Sequence, residues 1–310
     1  MITTSPAGTP VLELRQLTKR YGALAAVAGI DLSVGAGEIL GLLGPNGSGK
    51  STTLNLVMGF IKPTGGEVLI HGHSVRTAPR HALAEVGGLV EGSAFYPYLS
   101  GRMNLRMLAR LRGLPAERVE ETLELVGLIH AAERNFGDYS QGMRQRLGVA
   151  GALMHRPRLV VLDEPTSGLD PAGTREMRAL LPRIASEGTT LILASHLLTE
   201  VEQVCTRVAI MKAGAIISTG DVDTLLAQRP RWRVRVTPSE RASATSVLRA
   251  LPVVHAVQEV GDDLEVETQA GGVELNRALI DARIVASELE PVVATLESVF
   301  IELTEGTPAS

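Results

Sequence analysis

The sequence predicts an α/β protein with two domains, and three patterns along its 310 residues support that fold class. Apolar runs typical of buried strands alternate with helical patterns over most of the chain before residue 225. A glycine-rich loop connects one of these strands to a helix. From Trp232 onward, the pattern has the order β-α-β-β-α-β. We therefore expect an α/β core at 11–225 and a small α+β accessory domain at 231–304.

Two kinds of strand are predicted in the first domain. Segments that alternate apolar and polar residues predict an antiparallel β subdomain, namely Val11–Leu14, Ile30–Val34 and Glu67–Ile70. Continuous apolar runs predict buried parallel strands, namely Leu40–Leu43, Leu159–Leu162 and Thr190–Ala194. Between residues 100 and 156, leucines and valines recur at three- and four-residue spacing, which predicts helices. We place a helical subdomain at about 91–157 within the core.

The second domain is predicted element by element from the same periodicities. Its elements are the strand Trp232–Val236, the helix Glu240–Leu251, the strands Val254–Val260 and Leu264–Thr268, the helix Val273–Asp281 and the strand Ile284–Leu289. This order predicts a ferredoxin-like fold. A closing helix, Val292–Leu303, is expected to carry Leu296, Val299, Phe300 and Leu303 on one face.

Composition and charge exclude several classes of protein. Hydrophobic residues at 45% and charged residues at 21% are typical of a globular chain. The net charge of -4 argues against a general nucleic-acid binder. Cys205 is the only cysteine, in an apolar helical pattern, so we expect a packed thiol and a reducing compartment. Met1–Pro10 lacks a secretory signal and no apolar run approaches the ~20 residues that span a bilayer, so we expect membrane contact only through a partner.

The glycine-rich loop predicts a phosphate-binding site. The segment Gly44-Pro45-Asn46-Gly47-Ser48-Gly49-Lys50-Ser51-Thr52, called the P-loop below, matches G-x-x-x-x-G-K-[ST]. Its glycines let the backbone wrap the phosphates, which the helix N-terminus also attracts. Lys50 is expected to bridge the β- and γ-phosphates, and the hydroxyl of Ser51 is expected to bind Mg²⁺. The alternative is a chance match in a glycine-rich turn, but the flanking strand and helix favour a nucleoside triphosphate site.

A pair of acidic residues follows one of the predicted parallel strands. Asp163 and Glu164 come directly after Leu159–Leu162, at the sheet edge where α/β proteins bind ligands. Asp163 is expected to orient Mg²⁺, largely through water, and Glu164 to polarise the attacking water. A helix cap or a solvated turn is the alternative for such a pair, but the P-loop makes catalysis the better interpretation.

The segment Ser140-Gln141-Gly142-Met143-Arg144-Gln145-Arg146, called the signature segment below, lies shortly before Asp163 and opens a predicted helix at Arg144–Met154. With it, the chain resembles an ATP-binding subunit of an ABC transporter, whose hallmark here is Leu-Ser-Gly-Gly-Gln. Tyr139, Gln141 and Met143 depart from that motif, whereas Ser140 and Gly142 keep a hydroxyl and a bare backbone. The resemblance implies that Ser140 and Gly142 contact the γ-phosphate of an ATP held by the opposite subunit.

The resemblance extends over residues 11 to about 220 and implies further roles. Ser167-Gly168-Leu169-Asp170, called the interface loop below, is similar to the family's loop that crosses the dimer interface. His196 follows a strand where the family has a histidine that contacts the γ-phosphate, although a structural histidine is the alternative. Tyr21 lies where the family stacks an aromatic ring on adenine, although a packing role between strands is the alternative.

One departure concerns the segment that follows the predicted strand near Val90. Glu91 stands where the family usually has a glutamine that contacts Mg²⁺ and senses the transmembrane partner, and a carboxylate can still bind the metal. The aromatic residues Phe95, Tyr96 and Tyr98 follow. We expect them to hold a cytoplasmic helix of that partner, and the alternative is that they fill the core of the helical subdomain.

The resemblance implies an Mg²⁺-dependent ATPase that closes as a homodimer, or with a paired ATP-binding subunit, around two ATP molecules. Closure is expected to drive separate transmembrane permease subunits from the cytoplasmic face of the membrane, where this chain is peripheral. The motifs are similar to those of bacterial drug, antibiotic and lantibiotic exporter ATPases. The alternatives are a non-transporting ABC ATPase acting on nucleic acid or ribosomes, and an importer ATPase with a regulatory C-terminal domain. The excess of acidic over basic residues argues against a nucleic-acid partner.

Overall fold

The structure is a computed structural model and describes residues 10–90, 92, 95–227, 230–292 and 295–305. The chain divides into two compact units between Asp221 and Val222, a few residues before the predicted end of the first domain. Among the described residues, no helix combines the length and the apolar character needed to cross a membrane.

The first unit contains strands that form two sheets and helices that cover them. The strands are β1 (Leu12–Tyr21), β2 (Leu24–Val34), β3 (Ile39–Leu43), β4 (Gly65–Ile70), β5 (His73–Ser74), β6 (Val86–Leu89), β7 (Leu159–Asp163), β8 (Thr190–Ser195), β9 (Arg207–Lys212) and β10 (Ala215–Asp221). The helices are α1 (Lys50–Val57), α2 (Pro79–Ala82), α3 (Gly101–Leu111), α4 (Glu117–Leu125), α5 (Gln141–Leu153), α6 (Pro171–Ser186) and α7 (Leu198–Val204). Short 3₁₀ turns occur at Ile129–Ala131 and Phe136–Asp138.

The central sheet has the strand order β10-β9-β3-β8-β7-β6. Its pairs from β9 to β6 are parallel, and β10 pairs antiparallel with β9 at one edge. Every residue of β3 and of β8 is buried, because helices cover both faces of a parallel sheet. The predicted parallel strands are confirmed, and their carboxyl ends meet at one edge of the sheet.

The second sheet has the order β2-β1-β4-β5 and is antiparallel, which confirms the predicted pairing. Leu14 lies opposite Leu32 and Val68, so the apolar positions of three strands share one face. That face joins a hydrophobic core with Leu42 of β3 and Leu54 of α1. The shared core fixes β1 and β2 beside the segment that links β3 to α1.

The predicted helical region forms α3, α4 and α5. Leu105, Val119 and Leu123 are fully buried between these helices, as their spacing predicts. Helix α5 begins at Gln141, three residues before the predicted start, because the side chain of Ser140 accepts a hydrogen bond from the backbone N–H of Met143 and caps the helix.

The second unit contains the predicted order β-α-β-β-α-β between two further helices. Its elements are α8 (Val222–Ala227), β11 (Arg231–Arg235), α9 (Arg241–Arg249), β12 (Val254–Val260), β13 (Asp263–Thr268), α10 (Gly272–Asp281), β14 (Glu288–Val292) and α11 (Leu296–Glu305). The sheet order is β12-β13-β11-β14, with every pair antiparallel. Val234, Leu264 and Val266 are buried against Leu248 of α9 and Leu275 of α10. The other face of β11 carries arginines that form ion pairs with carboxylates of β13 and β14.

The last predicted strand, Ile284–Leu289, is wrong in its bounds, since β14 covers Glu288–Val292. Ile284 instead ends the turn after α10, where its N–H donates to the carbonyl oxygen of Leu279 at 2.9 Å and its side chain is buried. Pro291 lies within the strand, opposite Trp232. A proline is tolerated there because β14 is an edge strand and needs no ladder hydrogen bond on its open side.

The closing helix also differs from its prediction, because Val292 belongs to β14 and α11 begins at Leu296. Leu296 is fully buried, whereas Leu303 is 41% exposed. The predicted apolar face is therefore packed at the start of α11 and open to solvent near its end.

Candidate functional site

The P-loop connects β3 to α1 and lies close to the backbone of two neighbouring strands. Gly49 has a φ of +104°, and a Cβ at this position would clash with the carbonyl oxygen of Ala26 in β2. A Cβ on Gly44 would lie 2.5 Å from the carbonyl oxygen of Met211 in β9. Only glycine fits at both positions, which explains why the loop needs this residue type. Helix α1 begins at Lys50, two residues before the predicted start at Thr52.

Hydrogen bonds from the turn after β9 and from α1 hold the P-loop in place. The N–H of Gly214 donates to the carbonyl oxygen of Ser48 at 3.0 Å, and the N–H of Ala28 donates to the carbonyl oxygen of Gly214 at 2.9 Å. The hydroxyl of Thr53 donates to the carbonyl oxygen of Gly49 at 2.9 Å. The loop is thus fixed by the fold itself, which favours a preorganised binding site.

Lys50 places a cation at the centre of the P-loop. Its Nζ donates to the carbonyl oxygen of Gly44 at 2.7 Å and to that of Pro45 at 3.3 Å. Burial lowers the pKa of Lys50, and the nearby carboxylates of Glu164 and Asp163 oppose that shift. The site therefore combines a buried ammonium group with two acidic groups at the neighbouring strand end.

A cleft of about 510 Å³ opens beside the P-loop, a volume ordinary for a nucleotide-sized ligand. It brings together most of the predicted site residues: Tyr21, Asn46, Gly47, Gly49, Lys50, Ser51, Thr52, Asp163 and Glu164. Ser48, within the P-loop, is buried. We call this space the P-loop cleft.

Asp163 and Glu164 lie where the end of β7 meets the end of β8. Glu164 has a left-handed backbone with a φ of +49°, and its N–H donates to the carbonyl oxygen of Ala194 at 2.9 Å. The Nδ1 of His196 lies 2.9 Å from both carboxylate oxygens of Glu164. His196 is absent from the described lining of the P-loop cleft, so its closest relation to the site is this contact with Glu164.

Tyr21, at the end of β1, forms one wall of the P-loop cleft. Its ring is 50% exposed, which disfavours the alternative of a side chain packed between strands. The Nζ of Lys19 lies 5.0 Å from the ring centroid and donates to the carbonyl oxygen of Lys62 at 2.8 Å. The ring has an exposed surface on which a base could stack.

Ser140 and Gly142 are absent from the described lining of the P-loop cleft. Ser140 is exposed at the start of α5. Gly142 is buried against α6, where a Cβ would lie 3.6 Å from the Cα of Gly173. A Cβ on Gly168 would lie 3.8 Å from the Cγ of Gln141. The signature segment therefore packs beside the interface loop.

The structure describes two of the three predicted Mg²⁺ ligands, Ser51 and Asp163. Glu91 lies outside the described residues. Ser51 and Asp163 line the same cleft, and their hydroxyl and carboxylate oxygens are ligands that Mg²⁺ prefers. The described part of the chain contains no cluster of three or more His, Cys, Asp or Glu side chains suited to a metal. This donor set fits Mg²⁺, which commonly takes one or two protein ligands together with substrate phosphates and water.

The aromatic segment after Glu91 divides between core and surface. Phe95 is half-buried, its ring centroid is 5.4 Å from that of Phe136, and a Cβ on Gly151 of α5 would lie 3.2 Å from its ring. Tyr96 and Tyr98 are 47% and 70% exposed. The core interpretation therefore holds for Phe95, and only the two tyrosines form an exposed patch.

Sequence reasoning missed the apolar wall of the P-loop cleft, formed by Leu24, Ala25, Ala26 and Ala213. Leu24 is 66% exposed and directly follows the turn after Tyr21, which is the one signal that could have indicated it. The alanines carry no sequence signal, because Ala25 and Ala26 of β2 and Ala213 of the turn after β9 reach the site only through the tertiary fold.

The chain is similar to known proteins over most of its length. A family model described as "ABC transporter" matches residues 27–167. The chain is 36% identical to the uncharacterized ABC transporter ATP-binding protein YdbJ of Bacillus subtilis (strain 168), with 95% of this chain and 96% of that protein covered. It is 34% identical to the bacitracin transport ATP-binding protein BcrA of Bacillus licheniformis, with 96% and 98% covered.

A solved structure supports the same fold. The ATP-binding cassette MJ0796, described as a dimer in a post-hydrolysis state bound to ADP and Pi, matches with a TM-score of 0.61 and 26% identity, covering 68% of this chain and 98% of that one. Its match supports the fold of an ATP-binding cassette over that share of the chain. By fold, site and sequence, this chain belongs to the ABC transporter family as an ATP-binding, ATP-hydrolysing subunit.

Proposed function

We propose that this subunit dimerises around two ATP molecules and drives separate transmembrane subunits that export a drug, an antibiotic or a lipid-like compound. The observation that carries the proposal is the P-loop cleft, which combines Lys50 and Ser51 with Asp163 and Glu164. The similarity to BcrA over nearly the whole of both chains supports antibiotic export. The alternative of a non-transporting ATPase on nucleic acid or ribosomes is not favoured, since the net charge is -4.

In this proposal the P-loop, Gly44 to Thr52, surrounds the ATP phosphates with backbone N–H groups. Lys50 bridges the β- and γ-phosphates from the centre of the loop, where its Nζ already lies 2.7 Å from the carbonyl oxygen of Gly44. Adenine stacks on the exposed ring of Tyr21. The negative charge of the phosphates favours the charged form of Lys50, whose pKa burial lowers.

Ser51 and Asp163, together with Glu91, would hold Mg²⁺. When bound, this ion neutralises phosphate charge that builds up as the γ-phosphoryl group transfers. Oxygen donors from Ser51 and Asp163 face the same cleft, which supports the assignment.

Glu164 is the proposed general base for hydrolysis. Its carboxylate accepts a proton from the attacking water, and the γ-phosphate leaves as inorganic phosphate while ADP remains. The Nδ1 of His196 lies 2.9 Å from both carboxylate oxygens of Glu164, so His196 is proposed to orient that carboxylate and to contact the γ-phosphate when ATP is present. The chemistry depends on position and charge and needs no covalent intermediate.

The second ATP contact comes from another subunit. The N-terminus of α5, with Ser140 and Gly142, is proposed to face the γ-phosphate bound by the partner. The absence of both residues from the described lining of this chain's own cleft supports that arrangement. A homodimer and a pair with a different ATP-binding subunit both satisfy this arrangement. Closing and reopening of the dimer would move two permease subunits.

We assign 11–225 to the ATP-binding domain, with the helical subdomain at about 91–157, and 231–304 to an accessory domain. The sheet order β12-β13-β11-β14, with all pairs antiparallel, supports a ferredoxin-like fold for the accessory domain. The exposed pair Tyr96 and Tyr98 is the proposed contact with the permease, which would hold the subunit at the cytoplasmic face of the membrane.

The proposal is tested with the purified full chain by measuring ATP affinity and phosphate release separately. Glu164→Gln is expected to bind ATP within about threefold of wild type and to lose roughly a hundredfold or more in hydrolysis, because only the base is removed. Lys50→Ala is expected to lose ATP binding. Glu187→Gln, at an exposed ion pair beyond the end of α6, is the matched control and should leave both values unchanged. Normal phosphate release by Glu164→Gln would show that the base is assigned wrongly.

A further inference from the structure

A buried carboxylate lies behind the proposed catalytic residues. Glu200, in α7, is 8% exposed and is absent from the described lining of the P-loop cleft. Helix α7 begins two residues after His196. The space beside Glu200 is about 20 Å³, room for about one water, so this is not a ligand pocket. The role of Glu200 must therefore lie in the segments that its side chain connects.

Glu200 joins three separate segments of the first unit. The hydroxyl of Thr166, itself 6% exposed, donates a hydrogen bond to Oε2 of Glu200. The guanidinium of Arg178 in α6 lies 3.8 Å from Oε1 and donates to Gln203 at 2.7 Å. The carboxylate thus receives a hydroxyl from the loop after β7 and a positive charge from α6.

A buried charge is stable only while its partners stay in place. Removing water from a carboxylate is costly, and the cost is offset only by well-placed donors and an opposite charge. Displacing Thr166 would leave the buried oxygen of Glu200 without its donor, so the loop and α7 are expected to move together. The contact between Thr166 and Glu200, called the tie below, links the two segments.

The tie lies directly behind the contact between Glu164 and His196. Thr166 follows Glu164 by two residues, and the N–H of Ser167 donates to the carbonyl oxygen of Glu164 at 3.1 Å. The segments that follow β7 and β8 are therefore joined by two side-chain contacts, His196 with Glu164 at the surface and Glu200 with Thr166 in the interior. The left-handed backbone of Glu164 needs such support, because a non-glycine residue is strained in that region.

We propose that Glu200 is a positioning residue, which through Thr166 fixes the Glu164 carboxylate in line with His196 for hydrolysis. The inference rests on the proposed role of Glu164 as the base. Losing the tie should lower the turnover rate and leave ATP affinity nearly intact, because the P-loop is anchored separately by the turn after β9, which is itself bonded to β2.

The test uses Thr166→Val, which keeps the shape and removes the donor, and Glu200→Gln, which keeps the side-chain size and removes the charge. Thr166→Ser keeps the hydroxyl and is the rescue variant. Glu187→Gln is again the control. Each full-length protein is measured for ATP affinity and for single-turnover hydrolysis, with a melting curve to show that it is folded.

We expect Thr166→Val and Glu200→Gln to lose roughly tenfold to hundredfold in single-turnover rate, with ATP affinity within about threefold of wild type, because small misplacements of a catalytic group act on rate. Thr166→Ser should retain most of the rate. Folded variants with a wild-type rate would overturn the inference, as would equal losses in affinity and rate. If Glu164→Gln itself turns over normally, the proposed function fails; if only the Thr166 and Glu200 variants do, the tie alone fails.

Discussion

At the scale of single residues, burial shifts the pKa values of two ionisable groups of the first unit in opposite directions. It lowers the pKa of Lys50, whose charged form loses hydration, and the nearby carboxylates of Glu164 and Asp163 oppose that pKa shift. It raises the pKa of Cys205 to about 12, because burial disfavours the thiolate. Lys50 thus keeps partners suited to a binding site, whereas Cys205 is a packed thiol, as the sequence predicted.

Cys205 should be nearly inert to alkylation in the folded chain. With a pKa raised to about 12 from 9.0, the thiolate fraction at pH 8 falls by about a thousandfold relative to the unfolded chain. The raised pKa means that the thiol contributes stability below pH 9, and that this contribution is lost as the pH rises toward 12. Iodoacetamide labelling followed by mass spectrometry, in buffer and in urea, measures the difference. Similar rates in both solvents would contradict the assigned burial.

At the scale of elements, the predictable parts are those whose residues carry a strong periodic or continuous pattern. The buried strands β3, β7 and β8 were predictable because both faces are covered and most of their residues are apolar. The bounds of β14 were not, because an edge strand accepts Pro291 and its pattern is weak. The P-loop and the acidic pair were predictable from spacing, whereas the alanine wall of the cleft and the Thr166–Glu200 contact depend on tertiary packing.

The aromatic segment before α3 gives a prediction at this scale. Phe95→Ala removes a ring packed on Phe136 and α5, so we expect a loss of roughly 2–4 kcal/mol in the free energy of unfolding and a fall of several degrees in melting temperature. Tyr98→Ala, at a 70% exposed position, is the matched variant and should change stability by less than about 0.5 kcal/mol. Thermal melts of the two variants are compared, and equal melting temperatures would contradict the division into core and surface.

At the scale of the whole molecule, the residues proposed to contact ATP lie in two separate places. The P-loop cleft contains the phosphate loop and the acidic pair, whereas the signature segment and the interface loop pack together outside the described cleft lining. In the proposed function, a complete site therefore needs a second subunit. Gly142 provides a specific disturbance: Gly142→Asp adds a negative charge where the partner's γ-phosphate is proposed to lie. Glu187→Gln, at an exposed ion pair, is again the control.

The most direct test is the mass of the Glu164→Gln chain in solution, measured by light scattering with ATP and with ADP. Glu164→Gln should bind ATP without hydrolysing it, so the closed dimer should accumulate. We expect a mass of about twice 32.9 kDa with ATP and a single-chain mass with ADP. Adding Gly142→Asp should abolish the dimer while ATP still binds, and adding Glu187→Gln should retain it. A single-chain mass for Glu164→Gln saturated with ATP would contradict the closure of two copies of this chain around ATP.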